Sequence, residues 1–216
     1  MFTLWLGYSL IEIHDNFLPD DFADEIENLL MSDQFGWYVN LTTTYAHDNS
    51  NKIELDKVQT KNVIENSQLV HSFYFTENDG SAFLKDGVEN SNYCNLIFSI
   101  MDVLKTNTFW KDNPKLIKSK ANLNFSMTNY TNENHQPIHS DVGDFKWNEE
   151  GCKSLLYYVN DSDGDTIFFD NELNITTRVS PKKNRAIIFD SHNLHAGSNP
   201  IKNHMRAVIN LVFKWR

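Results

Sequence analysis

From Lys118 onward the apolar positions recur with a period of two. Ala121, Leu123 and Phe125 alternate with Asn122, Asn124 and Ser126, the pattern of a strand with two unlike faces. Short segments of the same kind follow at 154–159, 165–170, 175–179, 186–189 and 206–214, with a polar turn at 161–164. Many short strands joined by polar turns favour a sandwich, jelly roll or barrel. On the last segment Arg206, Val208, Asn210 and Val212 share one face, and Ala207, Ile209, Leu211 and Phe213 share the other.

The first half reads differently. Residues 1–13 are extended, with Leu4, Leu6, Ile11 and Ile13 among their apolar positions, and 14–20 form a turn. Asp20 or Asp21 then caps a helix to about Met31, whose apolar stripe is Phe22, Ile26, Leu29 and Leu30. Trp37, Tyr38 and Val39 make a short strand, and 68–75 a strand or extended edge. Tyr93, Ile97, Ile100, Met101 and Leu104 recur at helical spacing and predict a second helix over about 91–105. The polar stretch 42–51 reads as a surface loop, with a mobile lid as its alternative. The basic stretch 111–120, which contains Pro114, reads as a solvated connection. No internal repeat or low-complexity linker interrupts the chain. The expectation is one domain over 1–216: residues 1–117 give helical support and extra strands, and 118–216 the β core.

Composition narrows the partners. At 216 residues and 40% hydrophobic, the chain is an ordinary globular length and mix. Its formal net charge of -10 disfavours nucleic acid and anionic membranes as partners. Cys94 and Cys152 stand far apart, in no metal or disulfide pattern, and read as buried or free thiols in a reducing compartment. The N-terminus lacks a basic region and runs quickly into Glu12 and Asp15, so it reads as a strand rather than a signal peptide. With no apolar run long enough to span a bilayer, the expected location is cytoplasmic.

The candidate chemistry centres on His139-Ser140-Asp141. In an extended segment, side chains two apart point to the same side, so one imidazole and one carboxylate can close on one cation. His195, just beyond the apolar strand 186–190, is the best third ligand. Two histidines and one carboxylate leave half of the metal open, which suits non-haem Fe(II) that must also bind a co-substrate and O2. Arg206 begins an inward face, where an unpaired guanidinium costs too much to bury. A small dicarboxylate would match its fork bidentately and could chelate the metal with its other end.

These segments together resemble the Fe(II)/2-oxoglutarate-dependent oxygenases of the prolyl 4-hydroxylase-like branch. The resemblance runs through Asn129-Tyr130, His139-Ser140-Asp141, Leu156-Tyr157-Tyr158-Val159-Asn160, Asp163-Gly164-Asp165-Thr166-Ile167-Phe168-Phe169, residues 181–189, His195-Ala196-Gly197 and residues 206–213. It covers roughly 118–214, and Asp15-Asn16-Phe17-Leu18-Pro19 with its helix resembles the usual lead-in. The resemblance implies a mainly β fold with supporting helices, a double-stranded β-helix (jelly roll, cupin-like). It implies His139, Asp141 and His195 as iron ligands and Arg206 as the clamp on 2-oxoglutarate. Tyr130 and Tyr158 fall where the family often places hydroxyls near that co-substrate, and each equally suits a core aromatic. Asn122 and Asn124 would point into the same barrel. His192 and His135 compete for ligand status; Ala196-Gly197 and the spacing to Arg206 favour His195, and His204 reads as a solvated loop residue.

The implied activity is hydroxylation of a peptidyl side chain, amino acid or small metabolite, using Fe(II), 2-oxoglutarate and O2 and releasing succinate and CO2. The carboxylate of Asp141 favours hydroxylation over halogenation, which needs that position open. Two departures stand out. Gly164-Asp165-Thr166 replaces the family's Gly-Gly before Thr, and residues 132–138 replace the glycine-rich approach to the first ligand. The second touches the pocket wall, so a prolyl substrate does not follow. The alternatives are a non-catalytic jelly-roll metal-binding module and a nucleic-acid demethylase of the same superfamily. The latter would carry a second arginine six positions after the clamp, where this chain has Val212. Specificity walls are expected in 36–90 and 142–153, with Phe145 and Trp147 as either mouth residues or loop anchors.

Overall fold

The computed structural model describes residues 2–6, 9–42, 62–75, 87–107, 114–142 and 151–214. Its architecture follows from one strand, β12 (Met205–Lys214), which is buried on both faces. Ala207, Ile209, Leu211 and Phe213 enter a large core with Ile26, Leu30, Ile97, Ile100 and Leu104 from two helices. On the other face Val208 packs with Ile11, Leu156, Tyr158, Phe168, Ile187 and Phe189, and Val212 with Ile117, Val142 and Cys152. A strand that buries both faces belongs in the middle of a layered fold. The two faces are those predicted from the alternation.

β12 lies antiparallel between β6 (Lys115–Phe125) and β7 (Cys152–Tyr158). The large sheet continues from β7 through β10 (Arg185–Asp190) to β2 (Ser9–Asp15) and β1 (Phe2–Leu6). On the other side β6 is followed by β4 (Gln68–Phe75) and β3 (Tyr38–Asn40), with β5 (Val88–Glu89) also on β4. A smaller sheet has the order β11 (His195–Gly197), β8 (Thr166–Phe169), β9 (Ile175–Val179). Phe168 and Val179 bring it against the inner face of the large sheet, which closes the jelly roll. The helices α1 (Asp20–Leu30) and α2 (Cys94–Asn107) cover the outer face. Among the described residues no helix is long and apolar enough to cross a membrane.

Several boundaries differ from expectation. His14 and Asp15 extend β2 instead of forming a turn. Neither Asp20 nor Asp21 caps α1. Pro19 holds the N-cap position without a side-chain hydrogen bond, and both aspartates sit inside the first turn, where they still favour the dipole. The buried stripe is Ala23, Ile26 and Leu30, with Phe22 and Leu29 only partly covered on its flanks. From Lys115 the basic segment is strand, not solvated connection: Leu116 and Ala121 pack into the core under the helices, so Lys118 and Lys120 fall on the opposite face, toward the barrel interior. Phe125, at the end of β6, is 48% exposed despite its place in the alternation. Residues 43–51 of the expected loop, and Phe145 and Trp147, lie outside the described residues.

The displaced cap has a physical cause. Asn184 stands in the left-handed region at φ 62°, which its short polar side chain tolerates. Its Oδ1 accepts from the Leu18 N–H and its Nδ2 donates to the Leu18 carbonyl, both at 2.9 Å. The chain entering α1 is thus pinned to the turn before β10. Asn184→Ala should cost about 2–4 kcal/mol, because two buried backbone groups lose their partners and the backbone is strained. Urea denaturation of the variant measures this; a loss under about 0.5 kcal/mol would mean the pin is dispensable.

Candidate active site

The two histidines meet through their backbones. His139 N–H donates to the His195 carbonyl and His195 N–H to the His139 carbonyl, each at 2.9 Å, an isolated antiparallel bridge. Their ring centroids are 4.5 Å apart. Further along, Asp141 N–H donates to the Ser191 carbonyl at 2.9 Å. One ligand atom from each of His139, Asp141 and His195 lies within 4.8 Å of the other two. One ion can bridge that separation after a small inward movement of the side chains.

The donors are also oriented. His139 Nδ1 lies 3.1 Å from the Pro137 carbonyl and His195 Nδ1 2.9 Å from the Asn193 carbonyl. A carbonyl only accepts, so each Nδ1 carries the proton and each Nε2 keeps its lone pair for a metal. Asp141 Oδ2 accepts from Ser154 Oγ at 2.5 Å, and Ser154 Oγ is 2.9 Å from Ser191 Oγ. Asp141 Oδ1 accepts from Asn210 Nδ2 at 3.1 Å, and Lys118 Nζ donates to the Asp141 carbonyl at 2.8 Å. Burial, and then His195 beside it, push His139 down to about 3. For Asp141 burial opposes ionisation, but His195, Lys118 and His139 outweigh it and hold the carboxyl at about 2. Near neutral pH His139 is therefore a neutral imidazole and Asp141 a carboxylate, the states a divalent metal needs of these two ligands.

The sign of the His139 shift gives a test on the metal-free protein. Below its usual value of 6.5 the unfolded chain takes up a proton that the folded chain refuses down to about 3. Stability is therefore fully present above about 6.5 and falls as the pH is lowered. His139→Gln should flatten the fall in denaturation midpoint between pH 7 and 5. An unchanged slope would mean that His139 is not held neutral.

Arg206 sits on the inner face of β12, 4% exposed. Its Nε donates to the Gly164 carbonyl at 2.7 Å and one Nη to Thr166 Oγ1 at 2.8 Å. Among the described residues it forms no ion pair. Burial pulls its proton affinity below the usual arginine value, with Tyr158, Asp165 and Tyr130 opposing, yet a guanidinium stays charged. Gly164 has no room for a side chain: a Cβ would stand 2.4 Å from the Ser198 carbonyl oxygen and 3.0 Å from Arg206 Cδ. A Cβ on Gly197 would be 3.5 Å from an Arg206 Nη. Gly197 is two residues after His195 on β11, so the guanidinium lies one strand repeat, about 7 Å, along from the second imidazole. A buried cation with no ion pair among the described residues, at that range from three metal donors, is a site that a dicarboxylate co-substrate would suit.

The tyrosines differ. Tyr158 is fully buried in the core between the sheets; its hydroxyl donates to Thr166 Oγ1 at 2.8 Å, and Arg206 lies 5.7 Å from its ring centre. Tyr130 is 5% exposed, and its hydroxyl has no partner among the described residues. Burial pushes its pKa above the usual phenol value, against the Asn199 backbone and then Arg206, which lower it. Asn124 lies opposite Arg206 on β6, 1% exposed, and its amide nitrogen has no partner among the described residues. Asn122 follows it on the same face.

The competing histidines lie elsewhere. His192 is exposed and its Nδ1 pairs with Asp190 at 3.0 Å. His135 is buried against Phe169, and its Nδ1 bonds the Gln136 carbonyl at 2.8 Å. His204 is exposed. Ser154, Asn210, Ser191 and Lys118, which position Asp141, were not singled out from sequence. Asn210 left one signal: an amide on the inward face of an otherwise apolar strand.

Comparison with known proteins agrees with this arrangement. Residues 125–214 match the sequence model of the 2OG-Fe(II) oxygenase superfamily. No curated protein matches the chain. Among solved structures the fold is similar to a prolyl hydroxylase from Trichoplax adhaerens, solved with a hypoxia inducible factor oxygen degradation domain peptide fragment. Identity is 15%, coverage 95% of this chain and 83% of that one, and the TM-score 0.54. An oxidoreductase of the 2OG-Fe(II) oxygenase family from Burkholderia pseudomallei is 11% identical, with 90% and 91% covered and a TM-score of 0.53. The non-haem α-ketoglutarate-dependent epimerase SnoN from nogalamycin biosynthesis is 9% identical, with 94% and 76% covered and a TM-score of 0.53. At these identities the structures speak for the fold alone, and the sequence match speaks for residues 125–214. Residues 125–214 are thus similar to the 2OG-Fe(II) oxygenase superfamily, a dioxygenase family whose chemistry implies Fe(II), 2-oxoglutarate and O2.

Proposed function

We propose that this protein hydroxylates a peptidyl side chain, an amino acid or a small metabolite, converting 2-oxoglutarate to succinate and CO2. One observation carries the reading. Two imidazoles and a carboxylate bring ligand atoms within 4.8 Å of one another, and a buried guanidinium with no ion pair among the described residues lies beside them. Bound Fe(II) with 2-oxoglutarate would supply the activation of O2 and the oxidising power for a C–H bond.

The chain's own residues do the rest. His139, Asp141 and His195 hold the metal, and the carbonyls of Pro137 and Asn193 keep both rings in the ligating tautomer. Arg206, aimed by Gly164 and Thr166, binds the distal carboxylate of 2-oxoglutarate. Tyr130 offers it a hydroxyl, and Tyr158 acts through Thr166. Leu156, Ile187, Phe189 and Val208 pack around Tyr158, whose ring centre lies 5.7 Å from the guanidinium, and make that side of the site apolar. The whole chain serves as one domain, since strands from both halves form the sheet that carries Arg206.

The demethylase alternative finds no support here: Val212 packs with Ile117, Val142 and Cys152, where that branch needs a second arginine. A screen of peptides, free amino acids and small metabolites, following succinate release, tests the proposal. A substrate that stimulates succinate release and gains one oxygen supports it. Metal binding with no consumption of 2-oxoglutarate would favour a binding module.

A further inference from the structure

The asparagines on the inner face of the large sheet differ in which amide atom is left over. Asn122 and Asn210 each bury an amide oxygen with no partner among the described residues, whereas Asn124 buries an amide nitrogen. Their places differ in the same sense. Asn124 lies directly across from Arg206, and Asn122 and Asn210 stand one and two inward positions further along. Asn210 holds Asp141 at 3.1 Å. The spare acceptors thus stand toward the metal donors, and the spare donor stands beside the guanidinium.

Register puts Asn124 there. Cross-strand partners such as Asn124 and Arg206 start about 4.5–5.5 Å apart at Cβ and project from the same face. Leu123, next in sequence, packs into the core on the opposite face. Both partners are deep: Asn124 is 1% exposed and Arg206 4%. The guanidinium turns toward the small sheet, where its Nε meets the Gly164 carbonyl and one Nη meets Thr166. The other Nη stands beside Gly197. None of these contacts serves Asn124. Arg206 cannot satisfy it either, because a guanidinium has donors only. A buried N–H without an acceptor keeps its full desolvation cost, so its persistence in a fold calls for a cause. Two neighbouring donors, one of them charged, are both satisfied by a single group with two acceptor oxygens.

We propose that Asn124 donates its amide N–H to the distal carboxylate of 2-oxoglutarate, sharing that carboxylate with Arg206. This rests on the oxygenase reading above and adds a co-substrate residue from β6, the strand on the far side of β12 from Tyr158. Arg206 supplies the charge, and Asn124 fixes which way the carboxylate faces. The Asn122 and Asn210 oxygens would repel that carboxylate, so the wall also sets which end of the keto-diacid goes to Arg206. The co-substrate satisfies an N–H that the fold itself leaves unmet. Removing the N–H should therefore weaken co-substrate binding without weakening the fold, the opposite of what a structural asparagine would show.

Two variants test this through binding and stability. Asn124→Leu keeps the size and removes the donor. The urea midpoint of its metal-free form should equal or exceed that of the wild type, because no partner is lost. Its Fe(II) complex, titrated calorimetrically without O2, should bind 2-oxoglutarate about tenfold more weakly or worse. Asn124→Asp keeps the shape and brings a carboxylate of the chain's own to Arg206. It should raise the metal-free midpoint and weaken 2-oxoglutarate about a hundredfold or more. Fe(II) affinity should stay within about twofold in both, since neither touches the ligand side chains. A smaller loss of 2-oxoglutarate affinity in either variant overturns the proposal, as does a parallel loss of Fe(II) affinity. An Asn124→Leu protein that fails to fold, or whose midpoint falls along with its 2-oxoglutarate affinity, also overturns it and makes Asn124 a support of the barrel. Wild-type protein that binds Fe(II) but no 2-oxoglutarate would overturn the oxygenase reading itself, which keeps the two failures apart.

Discussion

Replacing Arg206 with Ala should raise the 2-oxoglutarate requirement about a hundredfold while Fe(II) affinity changes only a few-fold. Removing one partner of a buried charge pair typically costs about 2–5 kcal/mol, and each 1.4 kcal/mol is tenfold in affinity. The co-substrate's distal carboxylate would then be left beside the buried Tyr158 ring, with no guanidinium to meet it. The metal donors, by contrast, are set by the His139–His195 backbone bridge and by Ser154 and Asn210 on Asp141, none of which touches Arg206. Arg206→Lys should recover only part of the loss, since an ammonium cannot reproduce the two-pronged hold on Gly164 and Thr166. Titrations of 2-oxoglutarate and of Fe(II) on each variant check this. Equal loss of both would make Arg206 a structural residue of the barrel.

His195→Ala should abolish 2-oxoglutarate turnover and weaken Fe(II) binding by well over about a hundredfold, the upper range seen when only a group behind a ligand is removed. His192→Ala should leave both unchanged. The two histidines are three residues apart, yet their surroundings are opposite. His195 is 5% exposed, edge-on to Phe189 at 5.0 Å, with its Nδ1 held by Asn193. His192 is exposed and held by Asp190. Metal titration of the two variants decides between them. The reverse outcome would reassign the ligand to His192 and undo the geometry described above.

What could be read in advance depended on how local its cause is. The two faces of β12 follow from alternation within ten residues, and the structure places each one as expected. The helical spacing of Ile97, Ile100, Met101 and Leu104 is equally local, and all four are buried in the core under α2. The cap of α1 was misread because its cause is remote: Asn184, 166 positions from Leu18, fixes the approach to the helix. Lysine is usually solvated, whereas Lys118 and Lys120 of β6 are half-buried on the face that also carries Asn122 and, across β12, Asn210 and Arg206. The meeting of His139 and His195 depends on a backbone bridge between distant segments, which no spacing encodes; it was inferred through resemblance. Ser154 and Ser191, which brace Asp141, gave no signal, since a serine at a strand end looks the same whether or not it supports a ligand.

The most direct measurement is an anaerobic titration of the metal-free protein with Fe(II) and 2-oxoglutarate, followed by visible absorption. A metal-to-ligand charge-transfer band that needs both additions, and that weakens in Arg206→Ala at limiting 2-oxoglutarate, is the result expected. Fe(II) binding with no band at any 2-oxoglutarate concentration would contradict it.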